Sequence, residues 1–259
     1  MGSLAGKSPA NTYKSLLKVV DETNGITSSA SVIEDGEGTA SCTSIGTRSL
    51  KVTPTANTTT TFEVENASGT NILTVDTTNS CVKTGTAQTY ANTQILDFSA
   101  YRLVPVAGTH YFVPCSSGAF TSPLAELANG TGTDPATTLD AGASTDELVN
   151  MLFLAPYNLT IDGVKFMVST DTDTDTTVNV HLYKFTMTNA GGTSDGNLTS
   201  GTLLANGQAT SVDRNVLKTV SASIDSSSVS SDEVIACFVE NVTNTDDINI
   251  RVQVKYHIA

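Results

Sequence analysis

The chain has 259 residues, a formal net charge of −13 and a pI near 4.4. Its 13 Lys and Arg are scattered along the sequence, which excludes the clustered basic footprint that nucleic acid or an anionic membrane surface requires. Charged residues make up only 15%, against about 25% in a typical soluble protein, while 39% are hydrophobic. The polarity therefore comes from neutral Thr, Ser, Asn and Gly, with Thr alone at roughly one residue in six. Thr is β-branched and favours strands, and its hydroxyl keeps an exposed sheet face hydrated. This composition points to an all-β protein with real cores and against a charged disordered tail.

In chain order, Met1–Ala10 lacks the apolar core of a secretory signal. No run approaches the ~18 apolar residues of a membrane span. The expectation is a protein made in a cytoplasm. Tyr13–Val20 (YKSLLKVV) reads as a short strand or one helical turn. Asn24-Gly25 is a turn signal, and residues 33–38 (IEDGEG) form a polar bend. Residues 1–40 are set apart as an N-terminal segment.

From 41 to 100 short apolar alternations recur between turns: SLKVT, TFEVEN, ILTVDT and CVK, with breaks at Ala67-Ser68-Gly69 and Thr78-Asn79-Ser80. These predict strands of a few residues joined by tight turns. Large apolar side chains are few here, and a unit of ~60 residues is marginal even with a good core. Backbone entropy costs about 1–2 kcal/mol per ordered residue, more than so thin a core offsets. Three copies wrapped about one axis would share an interior and pair their open edges. Leu50, Val52, Phe62, Val64, Leu73, Val75 and Val82 are the expected core of that trimeric stalk. The competing reading is a Thr-rich disordered linker.

Residues 101–259 are richer in core formers. Predicted strands are Gly108–Pro114, Leu148–Leu154, Thr160–Ser169, Val178–Thr186, Leu217–Ile224, Val234–Val242 and Ile248–Ile258. In the last, Ile248, Ile250, Val252, Val254, Tyr256 and Ile258 share one face, and Asn249, Arg251, Gln253, Lys255 and His257 share the other. Asn129–Thr138, Asp171–Thr177, Asn189–Gly201 and Asn244–Asp247 read as loops. Seven or eight strands in this span predict an antiparallel β-sandwich of jelly-roll type. Leu124–Ala128 is at most one helical turn.

Chemistry-bearing motifs are sparse. Gly6-Lys7-Ser8 lacks the earlier glycine and the preceding strand of a phosphate loop. Cys42, Cys81, Cys115 and Cys237 stand apart, each in or beside an apolar run, and read as small buried hydrophobes. His110, His181 and His257 lie far apart in sequence with no Cys or His at ligand spacing, so no zinc site is expected. Asp171, Asp173 and Asp175 (DTDTDT) read first as a solvated acidic loop and second as a calcium loop, although the EF-hand glycine and glutamate are missing. No nucleophile elbow or Cys/His nucleophile set occurs, and Trp is absent, so neither a hydrolase nor a sugar-stacking platform is expected. No catalytic residue, metal ligand or cofactor is assigned.

Leu4–Val20 (LAGKSPANTYKSLLKVV), Asn24-Gly25-Ile26 and residues 34–40 (EDGEGTA) resemble the start of fibre-like proteins of marine tailed bacteriophages. Residues 61–82 (TFEVENASGTNILTVDTTNSCV) resemble a stalk motif of phage fibres and spikes, in which F-x-V-x-N and L-x-V-D-T strands repeat along a trimeric shaft. Thr202-Leu203-Leu204-Ala205 and the ending at Val254–Ile258 resemble their C-terminal knobs. The resemblance implies a homotrimeric virion component without enzymatic activity. In it, residues 1–40 attach to other virion proteins, 41–100 form the stalk and 101–259 form a knob whose loops contact a host-surface glycan or protein. Tyr157 and Tyr183 are the expected exposed rings. Two further readings stand beside it: a capsid decoration or head-fibre protein that binds no receptor, and a secreted bacterial adhesin or carbohydrate-binding module.

Overall fold

A computed structural model describes residues 17–21, 23–115, 127–140, 145–189 and 196–259. The chain forms two compact units that divide after Ala91. Both are built almost entirely of antiparallel strands, in keeping with the expected all-β class.

The N-terminal unit holds two four-stranded meanders. The first comprises β1 (Lys18–Val19), β2 (Ser31–Glu34), β3 (Ala40–Gly46) and β4 (Ser49–Val52). Ser31 of β2 pairs with Ile45 of β3, so no boundary falls at residue 40. The second comprises β5 (Phe62–Glu65), β6 (Asn71–Asp76), β7 (Cys81–Thr84) and β8 (Thr89–Tyr90). Its β5–β6 hairpin closes through Asn66, whose side-chain oxygen accepts from the Ser68 and Thr70 backbone N–H groups. Gly69 takes the positive φ of 79° that the turn needs. Residues 13–16 of the YKSLLKVV run and Gly6-Lys7-Ser8 lie outside the described residues; the run's end, Lys18–Val19, is strand.

The C-terminal unit is a two-layer sandwich. One layer orders β16 (Lys218–Ser221), β13 (Leu159–Thr170), β20 (Ile248–Ile258) and β9 (Thr93–Leu103), with β18 (Ser228–Val229) also on β13. The other orders β11 (Ala128–Thr131), β10 (Thr109–Val113), β19 (Glu233–Asn241), β14 (Thr176–Met187), β15 (Leu198–Val212) and β17 (Ser223–Ile224). β12 (Leu152–Leu154) pairs with the start of β19. Taking β9, β10, β13, β14, β15, β16, β19 and β20 as first to eighth, the layers run first–eighth–third–sixth and second–seventh–fourth–fifth. That interleaving of two Greek keys is the jelly roll. β9 belongs to this sandwich, so the compact unit begins at Asn92 rather than at 101.

Cross-strand rows build the core between the layers. Phe166, Val252 and Phe98 stand side by side on β13, β20 and β9, flanked by the rows Val164–Val254–Leu96 and Val168–Ile250–Ala100. Opposite them lie Val113–Cys237–Leu182 and Tyr111–Val239–Val180. Each aliphatic or aromatic row packs neighbours at the ~5 Å strand spacing. The period-two pattern of β20 is realised up to Val254, with Ile248, Ile250, Val252 and Val254 buried and Arg251 and Gln253 exposed; beyond it Tyr256 is half-buried and Ile258, expected on the buried face, is exposed. In β13 a bulge at Ile161/Gly163 shifts the phase, so that Ile161 and Val164 both point inward.

The second layer is buried on its outer face too. Phe112, Tyr183, Phe185, Phe238, Val234 and Leu198 form a second core with Leu148 and Met151. Leu148 and Met151 lie on helix α1 (Thr145–Met151), which replaces the first half of the strand expected over Leu148–Leu154. Their i, i+3 spacing puts both on one helical face, whereas alternation in a strand would have divided them. Tyr183, expected as an exposed ring, is part of this core; Tyr157 is exposed. Of the expected turn at Leu124–Ala128, residues 124–126 lie outside the described residues and Ala128 begins β11. The loop expected over Asn189–Gly201 ends at Leu198, where the unforeseen strand β15 starts. Among the described residues no helix is long and apolar enough to cross a membrane.

Candidate functional site

Two places carry more than architecture: one face of the second N-terminal meander, and a polar cluster on the outer face of the sandwich.

In the meander, Phe62 of β5 lies opposite Val75 of β6, which lies opposite Val82 of β7; Val64 lies opposite Leu73 one row away. Five of the seven residues expected in a stalk core thus share one face of one sheet. Leu50 and Val52 belong to β4 of the other meander and face the side of Ile45. None of the seven is buried within the single chain: Leu50, Phe62, Val64 and Val82 are exposed, and Val52, Leu73 and Val75 are half-buried. Among the described residues of this unit only Thr74 and Asp76 are buried, both on the opposite face of β6. Asp76 accepts from the Asn79 backbone (2.9 Å), the Asn79 side chain (2.7 Å) and Lys83 Nζ (2.9 Å). These bonds, those from Asn79 foremost, hold its carboxyl down to about 2. Lys83 is in turn raised by Asp76 and lies 5.7 Å from the Tyr90 ring centre.

The sandwich cluster arises from register. On the outer face of the second layer, His110, Glu240, Asn179 and Gln208 form one row across β10, β19, β14 and β15. The next row runs Phe112, Phe238, His181 and Asn206. His181 is therefore diagonal to Glu240, and the rings of His110 and His181 meet edge to face with centroids 5.1 Å apart. Ligand atoms of His110, His181 and Glu240 all lie within 4.8 Å of one another, and among the described residues no other group of three His, Cys, Asp or Glu does so. Residues 132–139, which follow β11, cover the cluster. His110 Nε2 donates to the Gly132 carbonyl (3.1 Å), and Asp134 Oδ1 stands 3.8 Å from His181 Nδ1. The covering chain is pressed close: a Cβ on Gly201 would lie 2.6 Å from Phe185 and 2.8 Å from the Thr137 backbone.

Burial sets the chemistry of the cluster. His110 is 0% exposed, Glu240 4% and His181 6%. Desolvation pushes His181 down to about 4; His110 beside it adds to the fall and Asp134 opposes it. His181 is thus a neutral imidazole at neutral pH. The Glu240 carboxylate accepts from Asn179 Nδ2 (2.8 Å), and Asn179 Oδ1 accepts from Gln208 Nε2 (2.8 Å), a relay that fixes the orientation of Glu240. His110 Nδ1 and both His181 ring nitrogens are buried with no hydrogen-bond partner.

This corrects the expectation that the histidines are scattered: His110 and His181 converge although 71 positions apart in sequence, because β10 and β14 both pair with β19. His257 stands apart, with its Nδ1 2.9 Å from Asp162 Oδ1. The acidic triplet does not converge. Asp173 binds Arg214 and Asn215 (both 2.6 Å), whereas Asp171 accepts from the Asp247 backbone (3.0 Å). Of the four cysteines, all free, only Cys237 is buried; Cys42 is exposed, in a unit whose described residues bury no apolar side chain.

Neither a protein-family model nor a curated protein matches the chain. Among solved structures, infectious bursal disease virus Gx strain aligns at 8% identity and a TM-score of 0.28, over 68% of this chain and 34% of that one. An aminopeptidase from the marine sediment archaeon Thaumarchaeota archaeon aligns at 10% identity and a TM-score of 0.30, over 72% and 38%. The chain spans between a third and two fifths of the length of these structures.

Proposed function

We propose that this chain is a bacteriophage virion structural protein: a homotrimeric, non-catalytic fibre or spike whose N-terminal unit is completed by two further copies and whose jelly roll is the host-facing knob. One observation carries the reading. The described part of the N-terminal unit buries no apolar side chain, while Phe62, Val64, Leu73, Val75 and Val82 line a single sheet face. An apolar face rimmed by polar residues marks an association surface. Three identical faces meeting on an axis would bury it and also occupy the free edge of β5. The jelly roll has its own interior and needs no partner to fold, so it is free to present loops such as 171–175 and 244–247 and the exposed ring of Tyr157. Three knobs held together would add weak contacts to a host-surface glycan through effective concentration.

Sedimentation equilibrium of the full chain tests this. The expected mass is three times the 26.9 kDa chain, falling to one chain in Val75→Asp, whose carboxylate would sit between Phe62 and Val82 in the apolar row. A wild-type monomer at micromolar concentration defeats the reading. Labelling of phage particles against this chain, viewed by electron microscopy, separates a tail or neck fibre from a capsid decoration.

A further inference from the structure

We propose that His110, His181 and Glu240 bind a divalent first-row transition metal, zinc in the first instance, which ties three strands of the jelly roll together on their outer face. This inference is independent of the trimer, since all three residues lie within the sandwich of one chain.

The tautomer of His110 is set by its surroundings. Nε2 faces the Gly132 carbonyl, an acceptor, and must carry the proton. Nδ1 then holds a lone pair, buried and without a donor. A ligating histidine that gives its other N–H to a backbone carbonyl is the usual outer-shell arrangement of metal sites. His181 has no such bond: Nδ1 lies 3.8 Å from the Asp134 carboxylate, the nearest charge to it among the described residues, and Nε2 is buried and unpartnered, a lone pair open to the metal. The third ligand is oriented as well, by the relay from Gln208 through Asn179 to Glu240.

Charge points the same way. Glu240 is 4% exposed, and among the described residues its one hydrogen-bond partner is an uncharged amide. A buried carboxylate is ordinarily paired with a cation or placed on a metal. No Lys or Arg of the described residues forms an ion pair with it. Two imidazoles and one carboxylate suit zinc and its first-row neighbours, while calcium and magnesium prefer all-oxygen sets. Zinc bonds of about 2.0–2.2 Å bring ligand atoms to roughly 3–3.5 Å of one another. From within 4.8 Å, this asks for closure by about an ångström or more, within reach of side-chain torsions on three hydrogen-bonded strands. Phe112 and Phe238 stand in the next row of the sheet and bound the site on its apolar side.

The test uses the full chain, stripped with a chelator, dialysed against zinc and then against metal-free buffer, with elemental analysis. One zinc per chain is expected, and cobalt(II) in its place should give the visible ligand-field bands of a low-coordinate nitrogen–oxygen site. Glu240→Gln keeps the shape and the bond from Asn179, so it should fold and yet bind zinc roughly a hundredfold more weakly or worse. His181→Asn should do the same. Zinc at a hundred times the wild-type Kd should raise the folding equilibrium constant of wild type about a hundredfold and that of Glu240→Gln by about twofold at most. Failure of the wild-type chain to take up zinc or cobalt at micromolar concentrations overturns the proposal. So does uptake that persists undiminished in folded Glu240→Gln and His181→Asn, or that disappears in Cys42→Ser, which would place the metal elsewhere.

Discussion

The two units of this chain use the same strand chemistry to opposite ends. In the sandwich, one layer is buried on both faces, so Val180 and Leu182 serve the core between layers while Tyr183 and Phe185 serve a second core outside it. In the N-terminal unit, strands with equally regular alternation bury only a threonine and an aspartate among the described residues. Alternation specifies which residues share a face; it does not specify what covers that face. In residues 92–259 the cover comes from the same chain. In residues 17–91 it must come from elsewhere or be water.

The largest expected effect tests the self-sufficient side of that contrast. Phe238 is fully buried and its ring meets Phe112 (4.4 Å between centroids), Tyr183 and Phe185. Phe238→Ala should cost about 3–5 kcal/mol in denaturant unfolding of the sandwich. The loss should not depend on protein concentration, because every contact is made within one chain. A concentration-dependent loss would mean that the outer core, too, is completed by another copy.

Next in size is the contact between the covering segment and the sheet. Gly201 N–H donates to the Thr137 carbonyl (2.8 Å), and Gly201 leaves no room for a Cβ between Thr137 and Phe185. Gly201→Ala should destabilise by about 1–3 kcal/mol through displacement of residues 132–138. The same shift moves Gly132 and Asp134 off the histidines. Zinc affinity should therefore fall with stability in this variant, although it touches no ligand; affinity unchanged at reduced stability would separate the cover from the cluster.

Legibility in the sequence follows the same division. Ile248–Val254 could be read residue by residue because a regular strand with one wet face keeps its period, and the reading fails only at the strand's end, where Ile258 is exposed. β15 escaped because its ladder with β14 breaks register three times, and each extra residue resets the phase. Its buried residues, Leu198, Leu204, Ala205, Ala209 and Val212, accordingly fall at no fixed spacing, and Gly201 and Gly207 look like loop residues although close packing requires them. The His–His–Glu cluster escaped for a different reason: its members sit on three strands, and only the pairing of β10, β19 and β14 makes them neighbours. A hint was present in Val180–Phe185, where both phases of the alternation carry rings or aliphatic groups. That is the mark of a strand covered on both faces. The seven residues expected in a stalk core were legible as an apolar set, but their division between two separate sheets was not.

A smaller effect belongs to the polar interior of the N-terminal unit. The Asp76 carboxyl titrates near 2 in the folded chain, below its ordinary 3.8, because Asn79 and Lys83 bind its charged form. A carboxyl depressed by folding adds stability that is present in full above its unfolded value and is lost as pH falls towards the folded one. Unfolding of this unit should thus be easier at about pH 2 than above pH 4, and Asp76→Asn should flatten that dependence. Circular dichroism melts across this range provide the measurement; an unchanged profile in the variant would assign the acid sensitivity to another group.

The smallest effect expected on a lone chain is the most informative. Phe62 is 42% exposed and lies at the end of the row it shares with Val75 and Val82. In a dilute, monomeric chain Phe62→Ala removes a ring that water already reaches, so its cost should stay within about 1 kcal/mol. In an assembly of three, the ring is buried in every copy, and truncation leaves three gaps about one axis at about 3–5 kcal/mol each. The ratio of the two costs, read from melts taken across a thousandfold range of concentration, measures how far the missing interior is supplied by other copies. Equal, small costs at all concentrations would leave Phe62 on an ordinary wet face and remove the reason to assemble the chain at all.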